Sequence, residues 1–231
     1  MVIKDELEAH VKKVFSTQWD IRKGQKIPES EDIQLGNQAV ELDATVLYAD
    51  LDGSTNLVDG HKPFFAAEIY KNYLYCAAKI IRSQGGTITS YDGDRIMAVY
   101  IGDNKNTSAA KTALKINWAV LKIINPGIAA QYSNGYKVKH VVGIDTSKLT
   151  AARTGIRGSN DIVWVGRAAN YAAKLTELSS DYPSRLTADV YNRLADEARN
   201  GGSPKRSMWE SARWTTMNDM TIYRSTWHWG L

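Results

Sequence analysis

The sequence lacks the features that define several structural classes. Its single cysteine, Cys76, cannot form an internal disulfide, and its four histidines have no cysteine partners for a structural zinc site. No apolar run approaches the roughly 18 to 20 residues of a membrane-spanning helix. The first ten residues, MVIKDELEAH, carry acids where a signal peptide has a basic segment and an apolar core. We therefore expect a cytoplasmic protein with no membrane insertion.

The composition is typical of a soluble globular protein. Of the 231 residues, 43% are hydrophobic and 23% are charged, which argues against wholesale disorder. The net charge of +4 and the pI near 9.0 suit an anionic partner, such as a nucleotide, a nucleic acid or a membrane surface, as well as a basic solvated surface. No lysine-arginine cluster is dense enough to indicate a polynucleotide groove, so we expect no nucleic-acid partner.

The apolar periodicity predicts an α+β fold made of packed α/β layers. Residues 1–43 are expected to form an N-terminal helix and a polar linker, and residues 44–231 the main domain. Strands are predicted over 44–49, 87–91, 95–101 and 137–145, and helices over 62–83, 107–124, 165–178 and 188–198. The tail, residues 207–229, alternates like two strands around a turn at Asn218-Asp219. Long helices that alternate with hairpins favour a sheet covered by helices.

Two aspartates stand at matching ends of predicted strands. Asp50 follows the apolar run 44–49, and Asp94 precedes the apolar run 95–101. If these strands are antiparallel neighbours, the two carboxylates meet at one sheet edge, where a divalent cation relieves their repulsion. Oxygen ligands of this kind suit Mg²⁺ or Mn²⁺, and two such ions serve in-line phosphoryl or nucleotidyl transfer. An aspartate in a DGD turn also occurs for turn geometry alone.

A short glycine-containing loop follows Asp50. Gly53, Ser54, Thr55 and Asn56 precede a predicted helix. Backbone N–H groups in such a loop can bind phosphates with help from the helix N-terminus. The same residues are common in a simple helix N-cap, which the loop alone favours while the phosphate-binding interpretation stays open.

Three ordered blocks together resemble the catalytic domain of class III nucleotidyl cyclases. They are YADLDGSTNL (48–57), YDGDRIMAVY (91–100) and GIDTSKLTAARTGIRGSNDIVWVGRAANYAAKL (143–175). The first resembles the first metal-aspartate motif of the family, and the second resembles its Gly-Asp hairpin. The third resembles the block whose Gly-x-x-x-Asn opens a catalytic helix. The resemblance implies a ferredoxin-like domain with a mostly antiparallel sheet covered by helices.

The resemblance implies a role for each matching position. Asp50 and Asp94 match the two aspartates that bind two divalent ions, Mg²⁺ or Mn²⁺, and Leu51 matches a residue whose backbone carbonyl contacts one metal. The positions that match the triphosphate loop are Gly53, Ser54, Thr55 and Asn56.

Other positions bear on the transition state and on the base. Asn170 matches the asparagine that orients the ribose, and Lys174 stands where the family usually has an arginine that stabilises the charged phosphorus centre. Lysine keeps the charge and loses the bidentate fork. Ser90 and Val163 replace the side chains with which purine cyclases usually read the base. The usual lysine of the last hairpin has only neighbours as candidates, namely Lys205, Arg206 and Arg213.

These departures resemble the pyrimidine cyclases of bacterial Pycsar anti-phage systems. Tyr91 and Arg95 form a Tyr-x-x-x-Arg spacing similar to the uridylate-type signature, which implies conversion of UTP to 3′,5′-cyclic UMP and pyrophosphate. If the two residues flank a three-residue turn, they face each other on one side of the sheet. Arg95 then offers donors to the two carbonyl acceptors of uracil. Alternatively, Arg95 pairs with a neighbouring aspartate such as Asp92.

The resemblance also implies partners. The metal aspartates come from one subunit of the family dimer and the asparagine and cation from the other, so we expect a homodimer with composite sites. We expect the cyclic product to be read by a separate effector protein. The residues leave other hypotheses open, namely a cyclase for CTP, ATP or GTP, a polymerase-palm-like protein, and a catalytically degenerate nucleotide-binding dimerisation module.

Overall fold

Residues 2–231 are described by a computed structural model, in which a nine-stranded sheet carries helices on both faces. The strands are β1 (Asp20–Lys23), β2 (Gln38–Asp52), β3 (Thr87–Asp92), β4 (Arg95–Tyr100), β5 (Lys139–Ile156), β6 (Ser159–Val165), β7 (Ser184–Thr187), β8 (Asn200–Gly201), β9 (Arg206–Ser207), β10 (Glu210–Trp214) and β11 (Met220–Ser225). The helices are α1 (Ile3–Ser16), α2 (Ser54–Gly60), α3 (Pro63–Ser83), α4 (Lys105–Ala119), α5 (Asn125–Gln131), α6 (Arg167–Thr176), α7 (Ala188–Tyr191) and α8 (Asp196–Arg199).

The sheet is mostly antiparallel, as the sequence predicts. Its order is β10-β11-β7-β5-β2-β4-β3, with β1 beside β2 and β6 beside β5. Only the pairs β1/β2 and β5/β7 among the described strands are parallel. Strands β8 and β9 form a separate small ribbon. The central pair, β2 and β5, is antiparallel and extends from Ala39↔Ala152 to Asp52↔Lys139.

Hydrophobic side chains pack on both faces of the central strands. One core lies between the sheet and the helices α3 and α4, and it includes Leu47 and Ile96. A second core lies on the opposite face under α6, and it includes Val46 and Met97. Successive side chains of a strand point to opposite faces, so an apolar run buried on both sides reads as continuous rather than alternating. Among the described residues, no helix is both long and apolar enough to cross a bilayer.

The N-terminal part differs from the expected helix and linker. Strand β2 begins at Gln38, so the predicted boundary at 43/44 lies inside the central strand. The pattern missed these residues because charged Glu41 and Asp43 alternate with apolar side chains there. Part of the region predicted as helix and linker, 1–43, instead forms β1, which pairs with β2 in parallel. Helix α1 forms as predicted but has no buried residue.

Two helical predictions need correction, whereas the C-terminal hairpin is confirmed. The helix predicted over 107–124 continues through a π-helical turn, Val120–Ile124, into α5, because Pro126 is tolerated in the first turn of a helix. The single helix predicted over 188–198 is instead the two short helices α7 and α8. In the tail, Asn218 and Asp219 both have positive φ between β10 and β11, the geometry that tight hairpins favour.

Candidate active site

The two predicted metal aspartates lie together at one end of the sheet. Strands β2 and β4 are antiparallel neighbours, and Asp50 stands opposite Arg95 in their register. Asp94 precedes Arg95 in the tight turn between β3 and β4, where Gly93 has a φ of 60°. Asp94 is close enough for its charge to raise the pKa of Asp50. The strands are thus antiparallel neighbours, as expected, and the two aspartates lie at the same end of the sheet.

The carboxylate of Asp50 is held by an arginine. The guanidinium of Arg95 donates from Nη2 and Nε to the same oxygen, Asp50 Oδ2, at 2.9 Å and 3.1 Å. The hydroxyl of Thr176, at the end of α6, lies 3.4 Å from that oxygen. Burial raises the pKa of the Asp50 carboxyl, while the hydrogen bonds and charge of Arg95 oppose the rise. This carboxylate is thus partly desolvated and depends on a cation.

Asp94 differs because its Oδ2 atom is buried and has no hydrogen-bond partner among the described residues. An orphaned carboxylate oxygen is costly, and a cation beside it removes the cost. The two aspartates therefore fit a divalent metal. No group of three histidine, cysteine or acidic side chains suited to a metal occurs within residues 2–231. Further ligands must come from backbone carbonyls, of which Leu51 is the predicted one, from water, or from substrate phosphates.

Two aromatic side chains form a buried floor beneath this end of the sheet. The hydroxyl of Tyr73, on α3, donates to the backbone carbonyl of Asp50 at 3.4 Å. His140 stands opposite Leu51 on β5, and its ring centroid lies 5.9 Å from that of Tyr73. Burial lowers the pKa of His140 to about 3, so the ring is neutral at physiological pH. The floor therefore adds no cation that competes with a metal.

The sequence pattern singles out neither of these floor residues for the site. Tyr73 falls within the helix predicted over 62–83, and His140 within the strand predicted over 137–145. The register of β2 and β5, which sets His140 opposite Leu51, is the signal that places the histidine beneath the site. Thr176 was missed because it lies two residues beyond the predicted catalytic cation, Lys174, at the end of α6.

The predicted triphosphate loop lies directly after Asp50. Gly53 has a φ of 76°, in the left-handed region that glycine favours, and it precedes α2. Ser54 is half-buried, whereas Thr55 and Asn56 are exposed. The loop therefore presents backbone and small polar groups to solvent beside the aspartates. Its phosphate-binding role remains a prediction.

The predicted ribose-orienting and transition-state residues lie on the exposed face of α6. Asn170 and Lys174 are one helical turn apart and both are exposed. Lys174 Nζ lies 3.9 Å from the sulfur of Met217, at the tip of the β10–β11 hairpin. Within the described chain, neither side chain forms a hydrogen bond or an ion pair with Asp50 or Asp94. The structure thus separates the four residues into two groups.

The predicted pairing of Tyr91 with Arg95 is wrong. The turn between β3 and β4 is one residue shorter than expected, so Asp92 stands opposite Arg95 and Tyr91 opposite Ile96. Neighbouring positions of a strand point to opposite faces, and Tyr91 therefore lies on the α3 side. Arg95 lies on the α6 side, 5.8 Å above the ring of Tyr48. The two side chains cannot face each other across the hairpin.

The other base-reading and basic positions are also separated. Ser90 stands opposite Met97, on the same face as Arg95, and Val163 is exposed on β6. Among the basic candidates, Lys205 pairs with Asp196, Arg206 lies over the ring of Trp227, and Arg213 stands opposite Thr221 on β10. The hairpin tip, residues 215–219, contains no lysine or arginine.

Comparison with known proteins identifies the family. The model of the adenylate and guanylate cyclase catalytic domain matches residues 38–208, which include both aspartates and the exposed face of α6. The chain belongs to this class III cyclase family. The family match begins with β2 at Gln38, where the structure also starts the central strand. Cyclases of this family generally depend on divalent metal ions.

Individual relatives are similar over the whole chain. A protein named uridylate cyclase from Xanthomonas perforans is 55% identical, with 99% of each chain covered. Another uridylate cyclase, from Burkholderia cepacia, is 53% identical over the same shares. The solved structure of the adenylyl cyclase CyaB from P. aeruginosa has a TM-score of 0.68 and 19% identity, and the match covers 81% of this cyclase and 95% of that chain.

Proposed function

We propose that this cyclase converts UTP to 3′,5′-cyclic UMP and pyrophosphate. The observation that carries the proposal is the match, at 55% and 53% identity and over 99% of the chain, to two proteins named uridylate cyclase. The paired aspartates support it, because both carboxylates that the chemistry requires are present and adjacent. The presence of Asn170 argues against a degenerate domain.

Asp50 and Asp94 hold the divalent ions, Mg²⁺ or Mn²⁺, two per site, and the carbonyl of Leu51 contributes a further ligand. When bound, such ions lower the pKa of the ribose 3′-hydroxyl and neutralise charge on the leaving pyrophosphate. The loop Gly53–Asn56 binds the triphosphate through its backbone N–H groups. The buried floor of Tyr73 and His140 keeps water away from the underside of the aspartates.

We assign base recognition to Arg95 alone and not to Tyr91 and Arg95 together. Arg95 carries only donors, and uracil presents two carbonyl acceptors. Cytosine replaces one of these acceptors with an amino donor, which an arginine cannot satisfy. Leaving that donor unpaired costs about 1 to 3 kcal/mol, which corresponds to roughly tenfold to a hundredfold in selectivity. Tyr91 lies on the other face, so we assign it no direct contact with the base that Arg95 reads.

The active form is a homodimer with two composite sites. Asn170 orients the ribose and Lys174 stabilises the charged phosphorus centre, each acting on the aspartates of the partner. Both side chains are exposed and make no contact with Asp50 or Asp94 within the described chain, which supports this division. A twofold axis then gives two equivalent sites. The cyclic product acts as a second messenger in anti-phage defence and is read by a separate effector protein.

One experiment tests the substrate directly. The purified protein is incubated with Mn²⁺ and one nucleoside triphosphate at a time, and the products are identified by mass. We expect cyclic UMP from UTP, with slower or no turnover of the other three nucleotides. A variant in which Asp94 is replaced by Asn is the inactive control. Preferred turnover of CTP, ATP or GTP would assign the cyclase to another nucleotide, and nucleotide binding without any product would indicate a degenerate module.

A further inference from the structure

The ion pair between Arg95 and Asp50 occupies one of the two oxygens with which Asp50 could bind a metal. Both hydrogen bonds from the guanidinium end on Asp50 Oδ2. The pair is sheltered, since the side chain of Asp50 is 15% exposed and that of Arg95 is 31% exposed. It is held on its face of the sheet by the ring of Tyr48 beneath the guanidinium. Arg95 is therefore the counter-cation of this carboxylate.

A divalent cation and the guanidinium cannot both hold this oxygen at full strength. Oδ2 already accepts hydrogen bonds from two guanidinium N–H groups and, at 3.4 Å, from the hydroxyl of Thr176, so it has little acceptor capacity left for a metal. The like charges of the guanidinium and a metal ion also repel each other at such short range. Asp94 offers no such competition, because its buried Oδ2 has no partner among the described residues. Asp94 thus has no competing cation, while Asp50 binds a metal at full strength only when Arg95 moves away.

We propose that Arg95 closes the metal site by holding Asp50, and that a uracil base opens it by taking Arg95 in exchange. This inference rests on the proposed function, because the released guanidinium needs an acceptor and the uracil carbonyl supplies it. Base recognition and metal binding are then coupled, and each strengthens the other by the same factor. A nucleotide whose base leaves the guanidinium unpaired strengthens metal binding less.

The first test needs no nucleotide and no activity. Mn²⁺ affinity of the nucleotide-free protein is measured from the electron paramagnetic resonance signal of free Mn²⁺. Arg95→Gln removes the counter-cation, and we expect binding to become about tenfold tighter. The matched control is Arg224→Gln, because Arg224 is 30% exposed and pairs with a carboxylate, Glu210, on the edge hairpin. The control should bind Mn²⁺ as the wild type does.

The outcomes of this test are distinct. Unchanged or weaker Mn²⁺ binding by a folded Arg95→Gln protein overturns the proposal, and so does an equal gain in both variants. Arg95→Lys provides a second folded variant, since it keeps a cation that cannot donate in the same fork, and we expect an intermediate affinity. Circular dichroism establishes that each variant is folded. None of these outcomes depends on which nucleotide the enzyme cyclises.

The second test measures the coupling. The Mn²⁺ affinity is measured with 3′-deoxy-UTP and with 3′-deoxy-CTP, which lack the attacking hydroxyl. In the wild type, we expect the uridine analogue to tighten Mn²⁺ binding at least several-fold more than the cytidine analogue. In Arg95→Gln, the two analogues should act alike. Both analogues could act equally in the wild type while the first test gives the expected result. That combination would contradict the assignment of uracil as the base that releases Arg95, but it would still support Arg95 as the residue that restricts metal binding by Asp50.

A second inference concerns the N-terminal arm, defined as residues 2–23. No residue of α1 is buried, and its apolar stripe of Ile3, Leu7, Val11 and Phe15 is between 50% and 87% exposed. The stripe continues through exposed Trp19 and Ile21. The helix is tied to the rest of the chain at its end, where the side-chain amide of Asn37 donates to the carbonyls of Val14 and Thr17.

Such a helix needs a covering surface. A 14-residue helix is only marginally stable in water, and most helical stability in proteins comes from packing of the apolar face. Aromatic side chains bury roughly 150–250 Å² each, so Phe15 and Trp19 account for a large part of the stripe. With the aliphatic residues added, the apolar area is on the order of the 800 Å² that each partner contributes to a stable interface.

The stripe is continuous with the face that the proposed dimer needs. A cavity of about 220 Å³ lies between the arm and the β5–β6 hairpin, and its lining includes Val14, Trp19 and Val163. Beyond it, Ile156 and Val165 are exposed on the same hairpin. This hairpin leads directly into α6, whose exposed residues Asn170 and Lys174 require a second copy to form a site. We infer that a second copy of this chain covers the arm.

The test compares two phenylalanines of equal exposure. Phe15 on α1 is 87% exposed, and Phe64 at the start of α3 is 84% exposed. Sedimentation velocity gives the dimer dissociation constant of the wild type, Phe15→Glu and Phe64→Glu. We expect at least a tenfold weaker dimer for Phe15→Glu and no change for Phe64→Glu. Leu7→Glu is the second arm variant and should act like Phe15→Glu.

The results separate the arm from the proposed function. A wild type that is monomeric at micromolar concentration contradicts both the arm interface and the composite sites. A Phe15→Glu protein that remains as tightly dimeric as the wild type and keeps its activity overturns the arm interface alone. Equal weakening by Phe64→Glu also overturns it, because the effect would then come from added charge rather than from the loss of the stripe.

Discussion

The aspartate end of the sheet and the exposed face of α6 are built in opposite ways. Asp50 is half-buried, touches Arg95 and rests on a floor of buried rings. Asn170 and Lys174 point to solvent, and the nearest contact of the lysine is a methionine sulfur. Packed surroundings suit the proposed metal site, and exposed side chains suit residues proposed to act on another subunit. One protomer therefore carries one packed half and one exposed half of the proposed composite site.

The largest effect is expected from a substitution in the packed half, the aspartate end of the sheet. Asp94→Asn should lower kcat by at least about 10²–10³-fold, because it removes charge that we propose holds the catalytic ions. Its stability should be unchanged or raised, since Asp94 Oδ2 has no partner among the described residues and the repulsion with Asp50 is relieved. Activity and thermal melting are measured together. Asp92→Asn, in the same hairpin, is the control and should retain most activity.

A loss of activity that comes with a lower melting temperature would contradict this interpretation. It would mean that Asp94 stabilises the fold and that catalysis is lost indirectly. Full activity of Asp94→Asn would remove the two-metal proposal altogether.

The next prediction tests whether the two halves come from different protomers. Asp94→Asn and Asn170→Ala proteins should each be inactive alone. After subunit exchange at equal concentration, half of the dimers are mixed and each has one intact site, so roughly a quarter of the wild-type activity should return. The mixture is assayed after exchange has been followed by mass spectrometry. Exchange without recovered activity would place both halves in the same protomer.

The contrast between the halves also explains what the sequence could predict. Asp50 and Asp94 were predictable because apolar runs mark strand ends, and antiparallel neighbours bring opposite ends together. The exposed face of α6 was predictable because helical periodicity sets Asn170 and Lys174 one turn apart. The first strand residues, 38–43, were missed because their alternating charges resemble a polar linker.

Arg95 shows why the rest was not predictable. Whether it faces Tyr91 or Asp50 depends on the length of one turn, and a change of one residue moves a side chain to the other face of the sheet. The DGD sequence is compatible with both lengths. The pairing with Asp50 also needs the register of β4 against β2, a contact between distant parts of the chain that no local pattern contains.

A third prediction concerns the exposed half, the solvent-facing side of α6 that carries Lys174. Lys174→Ala should lower kcat by about 10- to 100-fold, because it removes the cation nearest the developing charge in the proposed composite site. Its free energy of unfolding should change by no more than about 0.5 kcal/mol, as expected for an exposed side chain. Lys174→Arg should keep most of the activity, since it preserves the charge and adds a fork of donors. Steady-state kinetics and urea unfolding separate the two effects.

Lys122→Ala, which removes another lysine outside the proposed site, is the matched control and should leave kcat unchanged. If Lys174→Ala is as active as this control, Lys174 does not serve the transition state. If Lys174→Ala unfolds in much less urea than Lys122→Ala, the side chain of Lys174 stabilises the fold. That result would contradict the contrast between a packed half and an exposed half.

The smallest effect tests the buried floor through its pH dependence. Burial lowers the pKa of His140 to about 3 from its usual value near 6.5. Below pH 6.5 the unfolded chain binds a proton that the folded chain excludes, so the stabilisation is complete above that pH and is lost progressively toward pH 3. At pH 5 the loss from this residue amounts to about 2 kcal/mol relative to pH 7.

His140→Phe keeps a buried ring without a titrating nitrogen, and its stability should fall less between these pH values. Urea unfolding at pH 7, 6 and 5 gives the slopes for the wild type, for His140→Phe and for His10→Phe, which alters an exposed histidine of α1. The His10 variant should follow the wild type, because it leaves the buried ring of His140 unchanged. If His140→Phe also follows the wild type, water reaches His140 in solution. The aspartate end of the sheet is then not sealed from solvent, and the contrast with the exposed face of α6 does not hold.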